Sequence, residues 1–151
     1  MQNFDSKDLR ILRMLQRDGS VPVADIAEQI DLSVNACWRR VKRLQEEAVA
    51  RQVAILEPER FGFGLTAFVS VRTNEHNEGW LQTFSEGISK IDEVVEFYRL
   101  SGQYDYLLKI LAKDVADYDR VYKRIIKIAP LSDVSSSFAM ERIKSTTALP
   151  I

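Results

Sequence analysis

Cysteine and histidine are almost absent from this 151-residue sequence, which contains one of each, Cys37 and His76. A single cysteine excludes an internal disulfide, and one cysteine with one histidine cannot complete a four-ligand zinc site. His76 lies in a polar stretch without a neighbouring nucleophile or metal ligand. We therefore expect no catalytic residues, no metal and no cofactor.

Long hydrophobic runs are also missing, since none approaches the roughly 18–20 residues that a membrane-spanning helix needs. The first residues, MQNFDSKDLR, lack the apolar stretch of a signal peptide. These absences predict a cytoplasmic protein with no membrane partner. A hydrophobic content of 46% with 28% charged residues is typical of a globular protein and excludes disorder.

Neither sign of charge dominates, because 21 Lys and Arg residues stand against 22 Asp and Glu, a net charge of -1. Any affinity for nucleic acid must therefore come from a local patch. Glycine and proline are scarce as well, with six and four residues, but Pro58, Gly62 and Gly64 fall close together. Both residue types interrupt regular structure. The cluster predicts a helical domain over 1–52, a linker over 53–63 and a second domain over 64–151.

The spacing of apolar residues in the first domain predicts three helices, over about 5–17, 22–30 and 33–47. The last two are joined by a turn of three or four residues, which is typical of a helix-turn-helix unit. A three-helix bundle that binds nothing is the alternative.

The third predicted helix has one apolar side and one cationic side. The apolar side carries Val34, Cys37, Val41 and Leu44, and residues 33–52 have a local net charge of +3. Because the major groove accepts one helix, and its base edges bond Arg and Asn while cations neutralise phosphates, this arrangement favours DNA binding over a merely solvated face. The candidate DNA-binding residues are Asn35 and Arg39 for bases, Arg40, Lys42 and Arg43 for phosphates, and Ser33, which caps the helix.

Two other residues of this helix are predicted to be structural. Cys37 falls on the apolar side, where a thiol packs as a small apolar group. Trp38 lies on a flank, where it could stack on a base or pack against the first helix, and the flank position favours packing.

The second domain reads as strand, helix, strand, strand, helix, strand, which is the ferredoxin-like βαββαβ order. The expected strands cover about 65–73, 94–100, 106–112 and 134–143, and the helices cover about 80–91 and 115–128. Because such a sheet leaves one face and two edges uncovered, we predict at least a homodimer. The fold class is therefore α+β.

Four segments together resemble the Lrp/AsnC family of regulators over nearly the whole chain. They are DLRILRMLQRDG (8–19), LSVNACWRRVKRLQEEAV (32–49), LSGQYDYLL (100–108) and ERIKSTTALPI (141–151). The resemblance implies a winged-type helix-turn-helix domain, a linker strand that pairs with a partner subunit, and a ferredoxin-like domain for effector binding and oligomerisation. It also implies a transcription regulator that binds double-stranded DNA as a dimer or a higher assembly such as an octamer.

The resemblance further implies a small, amino-acid-like effector held near residues 101–105, where subunits meet. Gly102 would expose backbone N–H groups to a carboxylate, and Asp105 would accept an ammonium group, although both residues also suit an ordinary hairpin turn. The candidate effector-binding residues are Leu100, Ser101, Gly102, Tyr104 and Asp105, with Ser135 and Ser137 on the last strand.

Three other functions remain open at this point. An architectural DNA-binding protein would share the cationic helix but show little sequence preference. A stand-alone amino-acid sensor would share the second domain, and an enzyme would share its fold. The intact cationic helix and the lack of catalytic partners favour the regulator.

Overall fold

A computed structural model describes residues 4–151 of the chain. Their contacts divide them into two units, one formed by the chain up to Ile55 together with Lys144–Ile151 and the other by Leu56–Ile143. The last eight residues thus belong with the first unit, whereas the sequence placed them in the second domain. The boundaries predicted from the sequence, between the helical domain and the linker at 52/53 and between the linker and the second domain at 63/64, remain predictions.

Three helices form the first unit, α1 (Ser6–Leu15), α2 (Val23–Gln29) and α3 (Val34–Glu47). Each begins where its sequence allows. Asp5 and Asp8 cap α1 reciprocally, and the Ser33 hydroxyl accepts a hydrogen bond from the Ala36 amide at 3.3 Å. Asp31 forms the turn between α2 and α3 with φ of 53°, a left-handed conformation that aspartate tolerates.

The core of the first unit consists of the apolar sides of these helices, and Cys37 lies within it with no exposed surface. The prediction that Cys37 packs in the core is confirmed. Within residues 4–55 the structure contains helices only. The helix-turn-helix is therefore of the three-helix type, and no β-hairpin wing follows α3.

A four-stranded antiparallel sheet and two helices form the second unit, which confirms the βαββαβ order. Its strands lie in the order β2-β3-β1-β4. In chain order the elements are β1 (Leu65–Arg72), α4 (Glu78–Ile88), β2 (Val94–Arg99), β3 (Tyr106–Ala112), α5 (Val115–Ile125) and β4 (Asp133–Phe138).

Alternate residues of the central strands are buried beneath α4 and α5. Ala67, Val69 and Val71 of β1 lie in the core with Phe84 of α4 and Val121 of α5. The intervening residues point to the other side of the sheet, which no element of the second unit covers. This side is called the open face below, and its members on β1 are Thr66, Phe68, Ser70 and Arg72.

Two predicted strands differ from the structure. The last was expected to reach Ile143 but ends at Phe138, because its neighbour β1 begins at Leu65 and offers no further partner beyond the Ala139-to-Thr66 backbone bond. The linker strand is not formed either. Residues 50–57 have no strand, and Pro58–Phe61 form a short 3₁₀ helix. A strand needs a hydrogen-bonding neighbour, which a single chain does not supply here.

Candidate nucleic-acid interface and effector site

Helix α3 places its predicted DNA-binding residues on two sides. Cys37, Val41 and Leu44 face the core, and Asn35 and Arg39 lie opposite them, fully on the exposed surface. Asn35 occupies the first turn and Arg39 the second, on the same helical row. An exposed amide and guanidinium at the start of a helix suit hydrogen bonds to base edges.

Arg40 and Arg43 instead turn towards α1, where they bind Asp8. Arg40 Nη1 lies 2.7 Å from Asp8 Oδ1 and 2.7 Å from Asp5 Oδ2, and Arg43 Nη2 lies 2.7 Å from Asp8 Oδ2. The Asp8 side chain is only 3% exposed, so both of its oxygens are paired inside the unit. These ion pairs connect α3 to the N-terminal end of α1.

The ion pairs determine the charge of Asp8. Burial raises the pKa of this carboxyl, but hydrogen bonds from Arg43 and Arg40 outweigh burial and lower the pKa below its usual range. Hydrogen bonds to Asp5 and Asp8 raise the pKa of the Arg40 guanidinium, and the hydrogen bond to Asp8 raises that of Arg43. All three groups therefore stay ionised at neutral pH.

Asp8 was not identified from the sequence, although a signal was present. It precedes Ile11 and Leu12 by three and four residues and thus lies on the buried side of α1. A carboxylate on an apolar side requires a cationic partner, and the concentration of cations on α3 offered one.

Trp38 is more exposed than the predicted packing against the first helix implies. Its side chain is 53% exposed, and the Lys42 ammonium lies over the ring at 5.5 Å from the centroid. Val34, one turn earlier on the same row, is 52% exposed. The outer surface of α3 therefore carries an apolar row beside its polar row.

The candidate effector turn connects β2 to β3. Its ends are closed by a 2.7 Å hydrogen bond from the Leu100 amide to the Asp105 carbonyl. Gly102, at its tip, has φ of 143°, a conformation that favours glycine, and a Cβ placed there would meet nothing within 4 Å. The backbone at the tip is therefore open to an approaching group. Leu100 and Ser101 are exposed beside it.

Asp105 and Tyr104 hold this turn against the end of β1. Asp105 Oδ2 accepts a hydrogen bond from the Thr73 amide at 2.9 Å. Arg72 Nε donates to the Gln103 carbonyl at 2.9 Å, and its guanidinium lies 5.3 Å from the centroid of the Tyr104 ring. Asp105 thus has a structural role, with one oxygen engaged, and Arg72 joins the turn to the open face. The sequence did not indicate Arg72, because its partners are about 30 residues away.

Ser135 and Ser137 lie on the open face, where their register pairs them with Ser70 and Phe68. Both serines are exposed and project to the same side, as predicted. Asp133, two residues before Ser135, lies opposite Arg72 in the register of β1 and β4. Arg72, which donates to the Gln103 carbonyl of the turn, therefore shares the open face with the two serines.

Other kinds of site were searched for in residues 4–151. No helix there is both long and apolar enough to pass through a bilayer. No group of three or more acidic, histidine or cysteine side chains in the same residues could hold a metal ion.

Comparison with known proteins assigns both units. Residues 4–45 match the family model of the AsnC-type helix-turn-helix domain, and residues 66–149 match that of the Lrp/AsnC ligand binding domain. The chain is 43% identical to the DNA-binding transcriptional activator DecR of Escherichia coli, covering 98% of this chain and 99% of DecR. It is 41% identical to the glutamate uptake regulatory protein of Zymomonas mobilis, covering 100% and 93%.

Solved structures agree with the sequence comparisons. An AsnC family transcriptional regulator from Agrobacterium tumefaciens superposes with a TM-score of 0.91 at 50% identity, covering 97% of this chain and 96% of that one. A transcriptional regulator from Neisseria meningitidis, solved in complex with L-Met, gives a TM-score of 0.91 at 32% identity, covering 98% and 97%. From its two matched domains and these relatives, the chain belongs to the Lrp/AsnC family of DNA-binding transcriptional regulators, and it is not an enzyme.

Proposed function

We propose that this regulator reads duplex DNA with the N-terminal half of α3. Asn35 and Arg39 contact base edges, Lys42 and the exposed part of Arg43 neutralise phosphates, and Arg40 holds the helix against α1. Ser33 caps the helix beside the backbone of the DNA. The observation that carries this assignment is the exposure of Asn35 and Arg39 directly opposite the buried row of α3.

Selection from a random DNA library, followed by titration of the selected site, tests this assignment. Arg39→Ala should weaken binding by about 10- to 100-fold and relax the preference at one position, because a bidentate base contact contributes about 1–3 kcal/mol. Lys42→Ala should weaken all sequences equally and lower the salt slope by about 1. Lys127→Ala, which removes an exposed cation from the second unit, is the control. If selection enriches no sequence, the chain is an architectural binder.

We propose further that the turn around Gly102 binds an amino acid. The relative from Neisseria meningitidis with L-Met bound supports this class of ligand. The ligand carboxylate meets the backbone N–H groups at the open tip, beside Leu100, Ser101 and Tyr104, and the ammonium group meets the free side of Asp105. Ser135 and Ser137 line the adjoining open face.

A thermal-shift screen with the twenty amino acids tests the effector site. Binding to the folded state alone adds about 2.7 kcal/mol at a hundredfold excess over Kd. Asp105→Asn keeps an oxygen for the Thr73 amide but removes the negative charge, so it should abolish the shift without changing the melting point of the free protein. A shift that survives Asp105→Asn would place the ammonium group elsewhere.

The uncovered surfaces support an oligomer. Several large apolar side chains on the sheet and in the linker are more than one third exposed. They are Phe68 and Tyr98 on the sheet and Val53, Ile55 and Leu56 in the linker. A second copy that pairs its linker with this one would supply the missing strand and cover these residues. We propose a cytoplasmic homodimer that assembles further, up to an octamer. Sedimentation at micromolar concentration should give multiples of the 17.3 kDa chain mass, and a single-chain mass would reject it.

A further inference from the structure

Two parallel rows run along the outer surface of α3. One row, Asn35–Arg39–Arg43, is polar throughout, and the other, Val34–Trp38–Lys42, begins with two apolar residues. Each row advances by four residues, so its members lie one above another. Val34 and Trp38 are both about half exposed in the first two turns. These turns are the part of a recognition helix that usually meets the bases.

We propose that Trp38 determines sequence specificity by contacting the 5-methyl group of a thymine in the major groove, beside the bases read by Asn35 and Arg39. This inference rests on the proposed DNA-binding function of α3 and adds to it a residue that recognises one chemical group. Val34 borders the same contact from the preceding turn.

The chemistry of the groove selects the thymine methyl. Hydrogen-bond donors and acceptors dominate the base edges there, and the methyl group of thymine is the apolar feature that distinguishes them. In an intact duplex the faces of the bases are stacked and closed, so an indole that enters the groove meets edges rather than faces. Covering the methyl group with an apolar side chain is favourable because both surfaces leave water, whereas covering a polar edge would remove hydrogen bonds to water without replacing them.

Charge complementarity favours DNA over a protein partner at this ring. The Lys42 ammonium lies over one face of the indole at 5.5 Å, and Arg39 lies on the neighbouring row. An exposed ring bordered by cations is suited to a polyanion, whose phosphates can engage the cations while the ring edge reaches the base.

Deoxyuridine, which is thymine without the methyl group, tests the contact directly. After the preferred site is selected with the wild-type protein, each thymine is replaced singly by deoxyuridine. Wild-type binding should weaken about fourfold at one thymine in each half-site, the effect of one buried methyl-sized group. Trp38→Ala should bind the original site more weakly and show no difference between thymine and deoxyuridine at that position. Trp38→Phe should retain part of the difference.

Two control variants separate the possible outcomes. Val115→Ala removes an exposed apolar side chain from α5, 62% exposed, and should change neither binding nor its dependence on the methyl group. Arg39→Ala should lose affinity yet keep the deoxyuridine effect. If Arg39→Ala binds DNA as tightly as the wild type, the proposed interface on α3 is wrong and another surface binds DNA.

Other results would overturn the role of Trp38 alone. A deoxyuridine scan without effect at every thymine would do so, as would a Trp38→Ala variant that still responds to deoxyuridine. An equal loss of affinity for all sequences would instead assign Trp38 to the sugar–phosphate backbone. Because Trp38 is exposed, circular dichroism melts should show all variants folded. The fluorescence of Trp38, distinguishable from that of the buried Trp80, gives a direct check, since DNA should shield it from acrylamide.

Discussion

The Arg43 guanidinium on the recognition helix donates to the nearly buried Asp8 carboxylate of α1, with Nη2 and Oδ2 2.7 Å apart. Arg40 occupies the other oxygen of the same carboxylate. The cations of α3 are thereby divided into two sets. Arg39 and Lys42 lie on the exposed side of the helix, where we propose that they meet DNA, whereas Arg40 and Arg43 neutralise an acid within the helical unit. Asp8 thus orients the helix that carries the reading residues.

Replacing Asp8 with asparagine should destabilise the protein by about 1–3 kcal/mol. The change preserves shape and one acceptor oxygen but removes the negative charge that the two guanidinium groups share, leaving Arg40 with Asp5 and Arg43 with the longer pair to Glu47. The lower part of the range for buried pairs applies because the arginine side chains are 32% and 44% exposed and partly solvated. Urea unfolding followed by circular dichroism measures the difference.

Glu46→Gln, which removes an exposed carboxylate from α3, is the matched control and should stay within about 0.5 kcal/mol of the wild type. Equal stability of the Asp8→Asn variant and this control would show that the ion pairs contribute nothing to folding.

Acid should destabilise the protein in a way that depends on these pairs. Arg43 and Arg40 hold the pKa of Asp8 below its usual range against the opposing effect of burial, and a hydrogen bond from Arg120 lowers the pKa of Glu93. A carboxyl whose pKa is lowered by folding stabilises the folded state fully above its unfolded pKa of about 4. That stability is lost as the pH falls through the lower, folded value.

The free energy of unfolding should therefore fall as the pH drops below about 5, and the fall should be shallower in Asp8→Asn. Urea titrations at several pH values test this. Parallel curves for the two proteins would assign the acid sensitivity to other carboxyls.

The C-terminal tail should detach when Gln16 is shortened. The Gln16 side chain donates to the Leu149 carbonyl at 2.9 Å and accepts from the Leu149 amide at 2.8 Å, so the residue that caps the end of α1 holds both polar groups of the Leu149 backbone. In Gln16→Ala the Leu149 amide should exchange its hydrogen faster, as measured by hydrogen–deuterium exchange. Gln29→Ala, an exposed change at the end of α2, should leave this exchange rate unchanged.

Two glycines of α4 should respond to alanine in opposite directions. A Cβ at Gly87 would lie 3.0 Å from two side-chain carbons of Ile128 and closer to a third, so Gly87→Ala should cost about 1–3 kcal/mol by overpacking. A Cβ at Gly79 meets only Asn77 Oδ1, at an ordinary 3.5 Å, and alanine there should stabilise the helix by up to about 1 kcal/mol. Thermal melts of the two variants, compared with the wild type, measure both changes in stability. Destabilisation of both variants would mean that α4 requires glycine at position 79 as well.

The sequence predicted those parts of the fold whose signals are local. The alternation in β1 and the cap at Ser33 are properties of neighbouring residues, and the corresponding elements begin where expected. The end of β4 at Phe138 could not be read in this way, because it depends on where β1, some 70 residues earlier, stops offering hydrogen-bond partners. The linker strand is likewise a property of a pair of strands rather than of one.

The residues proposed to contact DNA show the same difference between local and long-range signals. The helical periodicity identified the exposed positions of Asn35 and Arg39 and the burial of Cys37. It could not predict that Arg40 and Arg43 bind Asp8, because the periodicity of one helix does not show which side of it packs against another helix. The periodicity placed Trp38 on a flank correctly, but whether that flank meets α1 or water depends on the same missing information.

The return of Lys144–Ile151 to the first unit affects how relatives of this protein can be recombined. The reading half is not a continuous stretch of the gene, since its final piece is translated after the whole sensing half. A chimaera that exchanges sensing halves at Ile55 alone would graft a foreign tail onto the native Gln16. Functional hybrids should need a second junction after Ile143, so that each DNA-binding unit keeps its own residues 144–151.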